Sequence, residues 1–392
     1  MKSKKVHKKW LQELFRPWIC FSLILLGALM TLGIEHVWTL KPWHSIITPD
    51  NKTTIGWIGP LSGPVSFLGE ENIRSMQMAV DDYNASCTLA DKRVNLVYQD
   101  DRYQSSKSVD MYDAMVSQYH PQIIFLNTYS AMFPIAKKVA TDNVVLINPI
   151  DNDRFLNALD KNIFLIAKKS EELGTILANE LIALKKSNIL IHYNSQDEFM
   201  SSVAFGIKAK LQKSGVDVIV QDYPFMDEKQ ALLKIDFAQK IHPDAYIFLG
   251  YAETGYLMKE YRSAGIKEPF YAINTLAEET SGGAMEGSRI LQFTQKDSFN
   301  SLAVDFLQRY RKKYDTDVKN PWVAFQAYDA MQMVLSTLQK NSSVALSTDD
   351  IRQHLLQLNN FEGLSGNISI NSNGSSSGIL WSMYTFLEGK LK

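Results

Sequence analysis

The residues best placed to meet a ligand are Gly59-Pro60-Leu61-Ser62-Gly63-Pro64, directly after the apolar Ile55-Gly56-Trp57-Ile58. A Gly/Pro/Ser turn at the carboxyl end of a strand offers backbone N–H groups and a hydroxyl, and open α/β sheets bind their ligands there. The same composition also serves as plain punctuation between strand and helix. The turn is no phosphate loop, because neither G-x-x-x-x-G-K-[ST] nor G-x-G-x-x-G occurs in it. His7, His36, His44, His120, His192, His242 and His354 form no H-E-x-x-H and no close ligand pair. Asp81-Asp82, Asp100-Asp101 and Asp349-Asp350 read as element ends and solvated faces. Asn371 to Gly374 with Ser375 to Ser377 reads as a polar hairpin turn, not a catalytic loop. The chain is therefore expected to be no enzyme, with no catalytic residue, no metal site and no cofactor.

The elements that must carry such a turn alternate along the chain. Strand-like runs at Ile55–Ile58, Val94–Tyr98, Ile123–Leu126 and Val144–Ile147 are separated by helical patterns at Glu70–Asn84, Ser105–His120 and Ile135–Ala140. In the first helix Ile73, Met76, Val80 and Tyr83 share one face. The alternation restarts with helices at Glu171–Leu184, Val203–Lys213, Ala231–Gln239 and Tyr256–Ala264. Strands at Ile189–His192, Val216–Val220, Ala245–Leu249 and Phe270–Ile273 lie among them. Continuous apolar strands suit parallel sheets covered on both faces. Two βα series predict an α/β chain with two doubly wound, Rossmann-like lobes. Helices at Leu302–Tyr314, Val323–Leu338 and Ile351–Leu358 follow, then strand character at Asn367–Ile370 and Trp381–Leu387.

The 392 residues are 45% hydrophobic and 21% charged, with a formal net charge of -1, so no overall basic field points to nucleic acid. Residues 1–16 carry Lys2, Lys4, Lys5, Lys8, Lys9 and Arg16, and Pro17 to Ile34 carry no charge. That run spans roughly 27 Å as a helix, a little less than a ~30 Å hydrocarbon core. Residues 17–38 are read as a transmembrane helix or signal anchor and 39–52 as a linker. The basic flank places the N-terminus in the cytoplasm and the rest outside it, single-pass in the inner membrane; if the segment is cleaved, the protein is periplasmic. Cys20 and Cys87 belong to different environments, and no disulfide between them is expected.

Several segments, in order, resemble the type I periplasmic binding proteins, the leucine/isoleucine/valine-binding family. They are Gly59-Pro60-Leu61-Ser62-Gly63, Gly69-Glu70, Asp82-Tyr83-Asn84-Ala85, Gln99-Asp100-Asp101, Asn148-Pro149, Gly265-Ile266 and Phe361-Glu362-Gly363-Leu364-Ser365-Gly366-Asn367-Ile368. The resemblance implies three hinge crossings, near residues 167, 295 and 363. Lobe 1 would then be 53–167 with 296–363, and lobe 2 would be 168–295 with 364–392. It also implies a small molecule held between the lobes, by Ser62, Leu68, Tyr129, Ser130, Asp151 and Asn152 on one side and Ser170, Phe199, Tyr251 and Asn274 on the other. Ser130 and Ser170 read equally as helix caps, and Asp151 and Asn152 as turn residues.

By the same resemblance an acid for an amino acid's ammonium is missing unless Asp151 or Glu171 substitutes. A ligand with an apolar or aromatic body and few charges fits better than a zwitterion. The function implied is extracytoplasmic capture of a solute for an ABC-type importer. The alternatives are a membrane-tethered sensory ectodomain acting through a partner protein, and a cleft filled by its own side chains that serves in assembly.

Overall fold

The computed structural model describes residues 53–63, 65–87, 93–224, 237, 240–294, 298–340 and 347–392. The readings of residues 1–52, most of the helix expected at Ala231–Gln239, and the crossing near 295 lie outside the described residues. Among the described residues no helix is long and apolar enough to cross a membrane.

The first lobe is built on β1 (Thr53–Gly59), β2 (Val94–Asp100), β3 (Ile123–Leu126), β4 (Val145–Asn148) and β5 (Ile163–Leu165). These pair in the order β2-β1-β3-β4-β5, all parallel. Between them run α1 (Phe67–Ser86), α2 (Ser105–Tyr119) and α3 (Tyr129–Val139). The second lobe has β6 (Asn188–Asn194), β7 (Asp217–Tyr223), β8 (Ala245–Leu249), β9 (Phe270–Ile273) and β10 (Arg289–Phe293). Its helices α4 (Ser170–Ala183), α5 (Glu198–Lys213) and α6 (Thr254–Ser263) complete the series. The parallel part runs β7-β6-β8-β9-β10, so both sheets place their first strand between the second and third. Each sheet therefore reverses its winding beside its first strand, β1 in one and β6 in the other, where a crevice opens at the strands' carboxyl ends.

After β10 come α7 (Ser301–Tyr314), α8 (Pro321–Lys340) and α9 (Thr348–Leu356). The first core joins Trp57, Phe125 and Ile147 of the sheet to Met76, Phe306, Phe325 and Met331 of the helices, all fully buried. A small antiparallel sheet of β11 (Phe361–Glu362), β12 (Gly366–Ile370) and β13 (Ser376–Ile379) follows. Ile368, Ile370 and Ile379 lie in the first core, and Leu165 bridges Ser375. Where the resemblance implied passage at 363, the chain joins the second sheet only with β14 (Trp381–Leu387) and β15 (Lys390–Leu391), antiparallel to β10 and to β14.

Three expectations are corrected. The helix expected from Ile135 begins at Tyr129, because Pro134 lies one turn inside it and hides its first turn from the apolar pattern. The run Ser375 to Ser377 is not all turn: β13 starts at Ser376 and pairs with β12. Asp101 is not a solvated end. It is fully buried and accepts hydrogen bonds from Thr128 Oγ1 at 2.6 Å, Ser108 Oγ at 2.7 Å and the Tyr103 N–H at 2.8 Å, which tie the end of β2 to the end of β3.

Candidate functional site

The strand-end turn after β1 is fixed from two sides. Asp100 accepts from the Leu61 N–H at 2.8 Å, the Ser62 N–H at 3.2 Å and the Ser62 hydroxyl at 2.6 Å. Burial works against the Asp100 carboxylate, but these bonds and one from the Arg102 N–H outweigh it and hold its pKa below the ordinary value. From the other side, Gly69 passes under the turn: a Cβ there would stand 1.7 Å from the Pro60 carbonyl oxygen. The Gly69 of the Gly69-Glu70 pair is thus required by close approach of α1 to the turn. Gly363 plays the same part at the late motif, where a Cβ would meet the Asp329 carboxyl at 2.7 Å. Buried Asp329, on α8, accepts from the Leu364 N–H at 2.7 Å and the Ser365 N–H and hydroxyl at 2.8 and 2.5 Å. Burial nevertheless lifts Asp329 to about 6.

Between the two sheets' crevices lies a cavity of about 20 Å³. Ile150, Trp322 and Gln326 wall it from the first lobe, and Phe199, Tyr251, Asn274 and Trp381 from the second, with Lys168 at the crossing. Trp322 and Trp381 sit with ring centres 6.3 Å apart, and Tyr251 meets Phe67 edge-on at 5.9 Å. Gln326 is 1% exposed and donates through Nε2 to the Trp322 carbonyl, but its Oε1 has no partner. The buried Trp381 Nε1 also has no partner.

Behind residues that line this cavity stand two buried acids, Asp151 next to Ile150 in the first lobe and Asp197 bonded to Tyr251 in the second. Asp151, next to Ile150, accepts from Asn148 Nδ2 at 3.0 Å. Burial, and then the negative charges of Asp197, Asp153 and Glu198, push its pKa well above the ordinary value against that bond. Asp197 stands at the N-cap of α5 and accepts from the Met200 N–H and the Tyr251 hydroxyl, each at 2.8 Å. Burial raises it to about 6. Tyr103 feels Asp197, Asp151, Glu198 and Asp101, and burial with those charges raises its hydroxyl well above the usual range.

Of the ten residues named from the resemblance, Phe199, Tyr251 and Asn274 line the cavity, and Asp151 follows the lining residue Ile150 without lining it itself. Ser62 is held by Asp100. Leu68 is buried in a small core with Val65, Ile150 and Val323. Tyr129 donates to Asp153 at 2.5 Å and lines a separate cavity of about 560 Å³ with Phe133, Phe155, Glu171 and Phe205. Asn152 donates to the Ala167 carbonyl at 2.7 Å, stapling the crossing. Neither serine is an N-cap: Ser130 is the second residue of α3, whose N-cap is Thr128, and Ser170 opens α4 after Lys169 and bonds Ser202 at 3.0 Å. Tyr103, Trp322, Gln326 and Trp381 join the site without having been singled out from the sequence. Gln326 carried a signal, a polar residue on the apolar stripe of Val323–Leu338. The spacing Gly374-Ser375-Ser376-Ser377-Gly378 holds no nucleophile: Ser376 lies in β13 and its hydroxyl donates to the Ala167 carbonyl at 2.9 Å.

A family model described as periplasmic binding protein matches residues 52–380. A Leu/Ile/Val-binding protein homolog of Brucella melitensis is 21% identical over 86% of the chain and 92% of the relative. The Leu/Ile/Val-binding protein of Escherichia coli is 22% identical over 74% of the chain and 80% of its own length. Among solved structures, a leucine-binding protein of Thermotoga maritima superposes with a TM-score of 0.77 at 19% identity, covering 87% of this chain and 97% of that one. A solute-binding protein of R. palustris in complex with benzoate gives 0.75 at 16% identity, covering 87% and 95%.

Proposed function

The chain belongs to the periplasmic binding proteins, of the type I kind that includes the leucine/isoleucine/valine-binding proteins, and on that premise we propose that it is an extracytoplasmic solute-binding protein. It captures a small molecule between its lobes, performs no reaction, and presents the closed form to an ABC-type importer. The observation that carries this reading is the cavity walled from both lobes, with the Gln326 Oε1 and Trp381 Nε1 buried in it unpaired. A buried polar atom without a partner costs about 1–3 kcal/mol, and a ligand at this place removes that cost. A ligand that touches both lobes binds the closed state better than the open one and so selects it. The relatives, named as binding proteins for leucine, isoleucine and valine, support capture of a small solute.

One observation favours a second reading. The cavity is only about 20 Å³, space for about one water, and Trp322, Trp381, Phe199 and Tyr251 fill the rest. Rings that fill the cleft at this place suit a protein that has given up its ligand there, although the cavity beside Tyr129, also lined from both lobes, stays open. Native mass spectrometry of protein purified from its source separates the two. A co-purifying small molecule released on denaturation supports capture; protein that carries none and shows no compaction with any added solute refutes it.

A further inference from the structure

The solute-binding reading leaves the chemical class of the solute open, and the charges around the cleft narrow it. Asp151 from the first lobe and Asp197 from the second are 6% and 1% exposed. The charge of Asp197 raises the proton affinity of Asp151, and both acids raise that of Tyr103 and of Tyr251, whose hydroxyl donates to Asp197 at 2.8 Å. Asp153 and Glu198 add negative charge at Asp151, Glu198 and Glu253 at Asp197, and Asp101 and Glu198 at Tyr103. Among the described residues no lysine or arginine pairs with Asp151 or Asp197. The base on the cavity wall, Lys168, is engaged by Glu172 at 2.6 Å. Buried carboxylates are ordinarily met by a cation or held neutral, and here no described residue supplies a cation.

A second observation points the same way. The Gln326 side chain, 1% exposed, lines this cavity with its acceptor oxygen unpaired. The unmet need is for N–H donors and positive charge. The unpaired Trp381 Nε1 asks for one acceptor, as a hydroxyl provides. Tyr251, Trp322 and Trp381 offer ring faces and edges suited to an alkylammonium or a short carbon body. A bare metal ion fits poorly, because among the described residues no three His, Cys, Asp or Glu side chains come together to hold one. A carboxylate fits poorly too, since it would enter beside two acids with Lys168 already paired.

We propose that the cleft takes a small organic cation, an amine or amino alcohol without a carboxylate of its own, with its positive group between Asp151 and Asp197 and its carbon body against Tyr251, Trp322 and Trp381. The proposal rests on the solute-binding reading. It departs from the expectation of a nearly uncharged ligand, because the resemblance did not bring Asp197 forward and left Asp151 as an open substitute. A ligand larger than the present cavity enters with the lobes parted, and closure brings the two acids onto it.

The test is isothermal titration of the full chain with matched probes: leucinol, leucine and 4-methyl-1-pentanol, then 2-phenylethylamine, phenylalanine and 2-phenylethanol, and choline. At least one cation is expected to bind more than tenfold tighter than its zwitterionic and neutral counterparts. Asp151→Asn and Asp197→Asn, checked for an unchanged circular dichroism spectrum, are each expected to weaken it more than tenfold. If either fails to fold, the wild type still decides: cation binding must release protons, seen as a heat that depends on the buffer's ionisation enthalpy, and must tighten from about pH 5 to pH 8. Tight binding of leucine, phenylalanine or an alcohol in preference to the amines overturns the cation and leaves solute capture standing. Silence from every probe, with nothing co-purifying, removes both.

Discussion

Replacing Gly69 by alanine tests how the strand-end turn is built. A Cβ at Gly69 would lie 1.7 Å from the Pro60 oxygen, and real contacts stay above 3.0 Å, so turn and helix must separate by about 1.3 Å, the difference of those distances. That movement pulls the turn off Asp100, which accepts from Leu61 and Ser62 at 2.8, 3.2 and 2.6 Å. Hydrogen bonds to a charged group contribute about 1.5–3 kcal/mol each. Loss of one or two outweighs the roughly 1 kcal/mol that alanine gains over glycine in a helix, leaving Gly69→Ala destabilised by about 2–4 kcal/mol. Gly206, inside α5, supplies the control: a Cβ there would have Glu171 Cα as its nearest neighbour at 3.7 Å, an ordinary contact. Gly206→Ala should therefore be stabilised by up to about 1 kcal/mol. Urea unfolding followed by far-UV circular dichroism measures both shifts. A Gly69→Ala midpoint at or above that of the wild type, or shifts of the same sign in both variants, refutes the argument from close approach.

Asp329 has a native pKa of about 6 against an ordinary 3.8, so the folded state binds its proton more tightly than the unfolded chain. Its favourable contribution is complete below about pH 4 and is lost as pH rises through 6; the stability of the wild type relative to Asp329→Asn should fall by up to about 3 kcal/mol between roughly pH 4 and pH 7 in urea titrations. Trp322 and Trp381 line the cleft whereas Trp57 is fully buried in the first lobe. Ligand binding should shift tryptophan emission in the wild type, and a Trp322→Phe, Trp381→Phe double variant should lose that shift while binding is still seen by calorimetry. In the form described Asp151 and Asp197 are both buried without a basic partner among the described residues, Asp151 near Asp153 and Glu198, Asp197 near Glu198, Glu253 and Tyr251. Acidification from about pH 8 to pH 5 should therefore favour the closed form, read as a smaller radius of gyration in solution scattering, and the Asp151→Asn, Asp197→Asn double variant should stay compact throughout.

What the sequence disclosed about this fold follows from what each strand must bury. Ile123–Leu126 and Ala245–Leu249 are covered on both faces and read as unbroken apolar runs. The three residues of β5 are too few to leave a pattern, and β10 reads Arg-Ile-Leu-Gln-Phe because Arg289 leaves the sheet to form a two-pronged ion pair with Glu180 at 2.6 and 2.7 Å. The polar β13 is held by backbone pairing with β12, which side-chain patterning does not record. Of the candidate cavity's lining, the sequence offers Tyr251 just past a strand end and Phe199 by resemblance, and it is silent where distant segments meet. Trp322 and Gln326, four apart on one face of α8, look like part of the helix stripe that packs on the first sheet; only the fold brings Trp381, from the far end of the chain, to within 6.3 Å of the Trp322 ring. Asp151 reads as a turn residue from the sequence and Asp197 is not singled out by it, and within its own loop each has a local role. Asp151 bonds Asn148, three residues back, and Asp197 caps α5 through the Met200 N–H. Their second property, the charge of Asp197 in one lobe reaching Asp151 in the other, belongs to neither loop. It arises only when the fold brings the loop after β4, which holds Asp151, near the loop after β6, which holds Asp197.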